Sequence, residues 1–271
     1  MILSFGSGDG TAAWALAPAW LALVAYAGAA LLPPRADLWV RAGLVLAWLA
    51  HAAAIVVDTT GIGLPTPGAR FGFAPALSTT LWLVIGVYLV ESRLLPLVGV
   101  RRALAALGAT AVVLTMLFPG ELRPQALPHG LMGIATYGMF GAAVLHAVML
   151  NRADRQIRQL PQRGAAAAGA PGMPVLRLER LTFRFIVAGF ALLTATLALG
   201  WWFASPWHWD HKKVFSLLAW GVFAALLVGR RFFGWRGRMA TRWLYTGAGL
   251  LLLAYVGSRF VFEVVLHRPP A

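Results

Sequence analysis

The chain has 271 residues, 60% of them hydrophobic and 12% charged. A soluble domain carries about 25% charged residues, so this composition excludes a water-soluble globular enzyme and a disordered chain alike. The formal net charge of +14, from 23 Lys and Arg against 9 Asp and Glu, reads in so apolar a chain as an orientation signal rather than a nucleic-acid surface.

The mean hydropathy is +0.74. Lipid satisfies no open backbone group, so the spans must be helices or a closed barrel. The apolar runs are long and continuous rather than alternating, which selects helices. The predicted class is an all-α polytopic membrane bundle, a single integral membrane domain over 1–271 with eight spans. They are expected at about 13–33, 38–57, 75–95, 102–118, 130–150, 181–203, 213–229 and 240–265. The first is kept as a span because its start carries Asp9 and no Lys or Arg, unlike a signal peptide.

Of the 23 basic residues, 17 fall in one alternating set of loops and 6 in the other. The rich set includes Arg152, Arg155 and Arg158, and Arg230, Arg231, Arg236 and Arg238. Basic loops stay in the cytoplasm, so both termini are expected outside, N-out and C-out. The longest loop, 151–180, is cytoplasmic in this scheme and reads as a flexible linker around Arg163-Gly-Ala-Ala-Ala-Ala-Gly-Ala-Pro-Gly. The outer loop 58–74, rich in Gly and Pro, offers no evident chemistry.

There is no cysteine. That removes disulfides, thiolate metal sites and covalent haem attachment through C-x-x-C-H. No phosphate-binding Gly loop and no Ser/His/Asp arrangement is present, so no independent catalytic activity is expected. One outer stretch is unusual. Between Trp201 and His211 the chain packs Trp201, Trp202, Trp207 and Trp209 with His208, His211 and Asp210, followed by Lys212 and Lys213. An aromatic belt would explain the rings but not the ionisable groups between them. Flat aromatic faces beside imidazoles and ammonium groups suit a large planar anionic ligand: rings stack on it, His ligates a metal, and Lys meets carboxylates.

The run Trp207-His208-Trp209-Asp210-His211-Lys212-Lys213-Val214-Phe215-Ser216-Leu217-Leu218-Ala219-Trp220 resembles, without a gap, the tryptophan-rich W-x-W-D-P-K-E-x-x-S-L-x-x-W segment of the cytochrome c assembly proteins. This is the haem-handling CcsA and CcmC group. His211 stands for the usual Pro and Lys213 for the usual Glu. The tail, with Gly234-Trp235-Arg236-Gly237-Arg238 and Tyr255-Val256-Gly257-Ser258-Arg259, is similar to the YpjD/HemX-like branch. The resemblance covers about 70–271.

The resemblance implies non-covalent haem b, held at the outer face and presented to an acceptor such as apocytochrome c, with other biogenesis subunits as further partners. It implies a platform of Trp207, Trp209, Asp210, Lys212 and Trp220. It also implies two axial histidines flanking that block, His129 before it and His267 after it. The loop charges independently put both at the outer ends of their helices, at one depth. His208 and His211 are further candidates inside the block. His51 and His146 lie within spans, where ionisable groups are costly. Each is read either as a transmembrane haem ligand, as the family has them, or as a neutral imidazole bonded to a facing helix. The competing classes are a transporter that keeps the fold without haem, and an accessory membrane scaffold.

Overall fold

Among the described residues, eight helices form where eight apolar runs were expected. They are α1 (Ala13–Leu31), α2 (Asp37–Thr60), α3 (Phe73–Glu91), α4 (Val98–Leu117), α5 (Pro128–Gln159), α6 (Gly172–Phe203), α7 (His211–Phe233) and α8 (Gly237–Leu252). The computed structural model describes residues 13–32, 37–63, 69–91, 98–123, 128–159, 172–203, 211–257, 260, 261 and 264. Among the described residues, six helices, α1–α4, α6 and α7, are long and apolar enough to cross a membrane. The protein is an all-α polytopic membrane bundle.

The helices gather in two compact units. One comprises residues 1–86 and 98–127, the other 87–97 and 128–271. In the first, α1 packs on both α2 and α4. Two short strands, β1 (Ala69–Phe71) and β2 (Glu121–Arg123), pair antiparallel with Arg70 opposite Leu122. Gly120, at φ 75°, makes the turn into β2 that a residue with a Cβ adopts only under strain. The faces of α2 and α3 are joined by a reciprocal pair of indoles. Trp48 Nε1 donates to the Trp82 carbonyl at 2.9 Å, and Trp82 Nε1 donates to the Trp48 carbonyl at 3.1 Å. The rings stack with centroids 5.1 Å apart and planes 5° from parallel.

In the second unit α5 packs along α6, while α8 packs on both α7 and α5. Phe140 of α5 and Phe223 of α7, both buried, stack at 3.8 Å in the centre of its core. Glu179 of α6 accepts from Arg230 of α7 at 3.0 Å, with Arg236 at 3.9 Å, and the Arg230 guanidinium lies 3.3 Å over the Phe183 ring. A charge that is paired and stacked in this way can sit at a part-buried helix end.

Two boundaries differ from the sequence expectation. The linker expected over 151–180 is helical at both ends, since α5 runs to Gln159 and α6 starts at Gly172. Arg, Gln and Glu are good helix formers, so a helix continues past the point where its hydropathy stops. Only 160–171 of that stretch lies outside the described residues. The eighth run, expected as one helix over 240–265, widens after Leu252 into a π turn over Leu253–Gly257. There the Tyr137 phenol of α5 donates to the Leu251 carbonyl at 2.7 Å, and a side chain that engages the ladder is a recognised cause of such widening.

Candidate functional site

In the second unit, the start of α7, the turn after α8 and Tyr137 of α5 lie together. Lys212, in the first turn of α7 just after the Trp-rich block, places its ammonium 5.1 Å from the Tyr255 ring centroid. Tyr255 belongs to the π turn after α8, and its ring centroid is 6.2 Å from that of Tyr137 in α5. Tyr137 in turn holds the Leu251 carbonyl. The first turn of α7 and the turn after α8 are thus joined, in one aromatic and cationic group, to Tyr137, eight residues past His129 in α5. A shared ligand of His129 and His267 requires the outer ends of α5 and α8 themselves to converge, which chain order alone does not impose.

His129 occupies the first turn of α5, where its backbone is described and its side chain is not. Trp207, His208, Trp209, Asp210 and His267 lie outside the described residues, as do Arg259 and Glu263. His211 opens α7 and is exposed. Trp220 reaches α6: its indole N–H donates to Thr194 Oγ1 at 3.0 Å and its ring stacks on Phe190 at 5.6 Å. It lies nine residues beyond His211, about 13 Å further along the helix.

His146 is fully buried in α5 and stacks on Phe185 of α6 at 5.0 Å. Its Nδ1 is 2.7 Å from the Ala142 carbonyl. A carbonyl only accepts, so Nδ1 carries a proton and donates to it.

In the first unit His51 of α2 is 1% exposed. Its Nδ1 is 3.2 Å from the Tyr26 hydroxyl of α1 and its Nε2 is 2.6 Å from Ser78 Oγ of α3. The Tyr26 ring fits because Gly108 of α4 lies beneath it; a Cβ there would come within 2.8 Å of the ring. Both imidazole nitrogens are engaged, so iron at His51 would require Ser78 or Tyr26 to leave. The arrangement matches the alternative of a neutral imidazole bonded to facing helices. Among the described residues no group of three or more His, Cys, Asp or Glu is placed to hold a metal.

Sequence reading missed Tyr26, Ser78, Tyr137 and Tyr255. Hydroxyls inside apolar runs were the available signal, since each must find a partner there. It also missed Asp58 and Arg70, whose ion pair at 3.6 Å spans the end of α2 and β1, in the outer loop that offered no chemistry.

A family model described as "Cytochrome C assembly protein" matches residues 39–266. The match takes in His51, His129, His146 and the whole Trp-rich block, and ends one residue before His267. The inner membrane protein YpjD of Escherichia coli (strain K12) is 34% identical over 149 residues, 54% of this chain and 55% of that protein. The cytochrome c biogenesis protein CcsA of Synechococcus elongatus is 32% identical over 134 residues, 43% of this chain and 41% of that protein. CcsA of Prochlorococcus marinus is 35% identical over 96 residues, 34% of this chain and 30% of that protein. The chain spans about half the length, or less, of these curated relatives. No solved structure matches it. A match that runs from α2 to the last residues of the chain settles the affiliation: the protein belongs to the cytochrome c assembly protein family.

Proposed function

We propose that the protein handles haem in the bacterial inner membrane and presents non-covalent haem b at the outer face. Haem is cargo here. In this reading His129 and His267 supply the axial imidazoles, Trp207 and Trp209 the stacking faces, and Lys212 a cation for a propionate. Asp210, itself anionic, orients a neighbouring imidazole or indole N–H instead of facing a propionate. His208 and His211 are reserve ligands, and His146 is a candidate for haem on its way to the outer site. Apocytochrome c and other assembly subunits are the proposed partners.

The observation that carries this reading is the junction of Lys212, Tyr255 and Tyr137, which joins the start of α7 to the turn after α8 and to α5. The Trp-rich block leads into the first of these, while His129 lies 8 residues before Tyr137 and His267 12 residues after Tyr255. The family match and the block from Trp207 to Trp220 give the same direction. The donor set suits an iron porphyrin: imidazole for iron, indole for the ring and ammonium for the carboxylates. When bound, the iron supplies the redox chemistry, while the protein binds, orients and shields it.

An absorption spectrum of the detergent-purified full-length protein tests the reading, with a Soret band and six-coordinate low-spin bands expected. Protein that stays colourless after incubation with haemin and reductant would reject it in favour of a scaffold or transporter. The platform is tested separately. Trp207→Ala or Trp209→Ala is expected to lower haem per protein about tenfold while membrane level holds, the equivalent of about 1.4 kcal/mol. A fall in membrane level with haem per protein unchanged would make these indoles mere interfacial anchors.

The orientation carries its own expectation. With 17 of the 23 basic residues in the odd-numbered loops, a reporter fused after Ala271 is expected to behave as periplasmic. Cytoplasmic activity of that fusion would invert the topology and move the Trp-rich block to the wrong side for presentation.

A further inference from the structure

The first unit holds a cavity of about 400 Å³ that the haem reading does not use. It lies among α1, α2, α3, α4 and β1, and its size falls within the ~300–1,000 Å³ of small-molecule sites. Its walls are apolar, with Leu23, Ile55, Val113 and Met116 among them. Leu16, Trp20 and Leu117 line it while remaining 44%, 48% and 54% exposed. Exposed apolar side chains on membrane-spanning helices face lipid, so the rim opens to the hydrocarbon phase. A ligand that enters there is lipid-soluble.

The polar groups define its head. Asp58 and Arg70 line the cavity but neutralise one another, which leaves no net charge for an anionic or cationic head. His51 and Ser78 line it also, and their hydrogen-bond polarity follows from Tyr26. The Tyr26 hydroxyl is buried and its bond is to His51 Nδ1. A phenol hydrogen needs an acceptor, so Tyr26 O–H donates to Nδ1. The neutral ring then carries its proton on Nε2 and donates to Ser78 Oγ. The chain of donors ends on the Ser78 hydroxyl hydrogen. The neighbouring Thr79 and Thr80 donate to the carbonyls of Pro75 and Ala76 one turn back, whereas Ser78 uses no such backbone bond. Its hydrogen is directed to whatever acceptor the cavity receives.

We propose that this cavity binds a neutral, lipid-soluble ring carbonyl compound, a quinone head group, with Ser78 donating to one carbonyl oxygen and His51 holding Ser78 in place. A carbonyl is a pure acceptor and fits a site whose last group is a donor. An alcohol would bring a surplus hydrogen, and a fatty acid would bring a charge that nothing here compensates. The proposal is independent of haem binding in the second unit.

The test is equilibrium binding of radiolabelled decylubiquinone to the full-length protein in lipid nanodiscs, with 1-decanol and decanoate as competitors. Saturable binding at one site per chain is expected, and neither competitor should displace it at equal concentration. Ser78→Ala is expected to weaken binding about tenfold. Ala54→Phe, which fills the cavity from α2, should abolish it. Thermal unfolding and size exclusion of each variant check that it is folded. Absence of saturable binding to the wild type would overturn the proposal. So would equal competition by decanol or decanoate, or unchanged binding in the two folded variants. Should a variant fail to fold, the wild-type competition still decides.

Discussion

Gly247→Leu is expected to abolish recovery of monodisperse protein. Gly247 is buried on α8, facing Phe223 of α7. Even a Cβ there would lie 2.6 Å from the Phe223 ring. That ring has nowhere to go, since it is fully buried and stacked on Phe140 at 3.8 Å. Relief requires α8 to move off α7, which breaks the core of the second unit. Overpacking costs typically ~1–3 kcal/mol and sometimes more, and here the clash is with a ring pinned from behind. Gly249→Leu is the control, because a Cβ there meets nothing within 4 Å. It should leave the elution profile and thermal midpoint near those of the parent. Equal behaviour of the two variants would mean that α7 and α8 do not pack through Gly247 and Phe223. A Phe223→Leu change made together with Gly247→Ala should recover part of the loss.

His129→Ala and His267→Ala are each expected to convert six-coordinate low-spin haem into a five-coordinate or haem-poor protein, and added imidazole should partly restore the spectrum. Loss of one axial ligand removes a metal bond that the remaining stacking contacts do not replace. A bis-imidazole site requires the ring nitrogens to approach to ~4 Å, twice an iron–nitrogen bond. An unchanged six-coordinate spectrum in both variants would reject the pair and turn attention to His208, His211 and His146. His51→Leu is the contrasting change. Because Tyr26 and Ser78 hold both nitrogens of that ring, its loss should disturb the first unit and leave the axial ligation of outer-face haem intact. The two outcomes are separable on one set of spectra and melting curves.

The helices were legible because hydrocarbon imposes one rule on every span. A continuous apolar run is helical, and α1, α2, α4 and α7 fall within a few residues of their hydropathy bounds. The rule reads burial in lipid and nothing else. It therefore missed the polar last turns of α5 and the first turns of α6, where a helix projects beyond the apolar layer. It also missed the π turn, whose cause is Tyr137, more than a hundred residues away in the chain. The candidate site divides in the same way. The Trp-rich block announced itself because ionisable groups interrupt an aromatic cluster. Trp220, a member of the same motif, sits against α6, a placement that its spacing alone does not reveal. Tyr26 and Ser78 carried no motif at all. Their meaning arises only when α1 and α3 bring two hydroxyls to the two nitrogens of one imidazole.

The reciprocally bonded indoles of Trp48 and Trp82 act as a detent between two rods. Each ring gives its N–H to the other's backbone, so axial slippage of α3 along α2 strands both donors at once. In hydrocarbon no water is at hand to receive them. A slip by one helical turn, about 5.4 Å, would also carry Ser78 out of reach of His51. Trp48 lies three residues before His51 and Trp82 four residues after Ser78. The detent thus indexes the donor chain of Tyr26, His51 and Ser78. Sliding is blocked at that pair, which leaves rotation and tilt as the movements by which α2 and α3 can admit a guest.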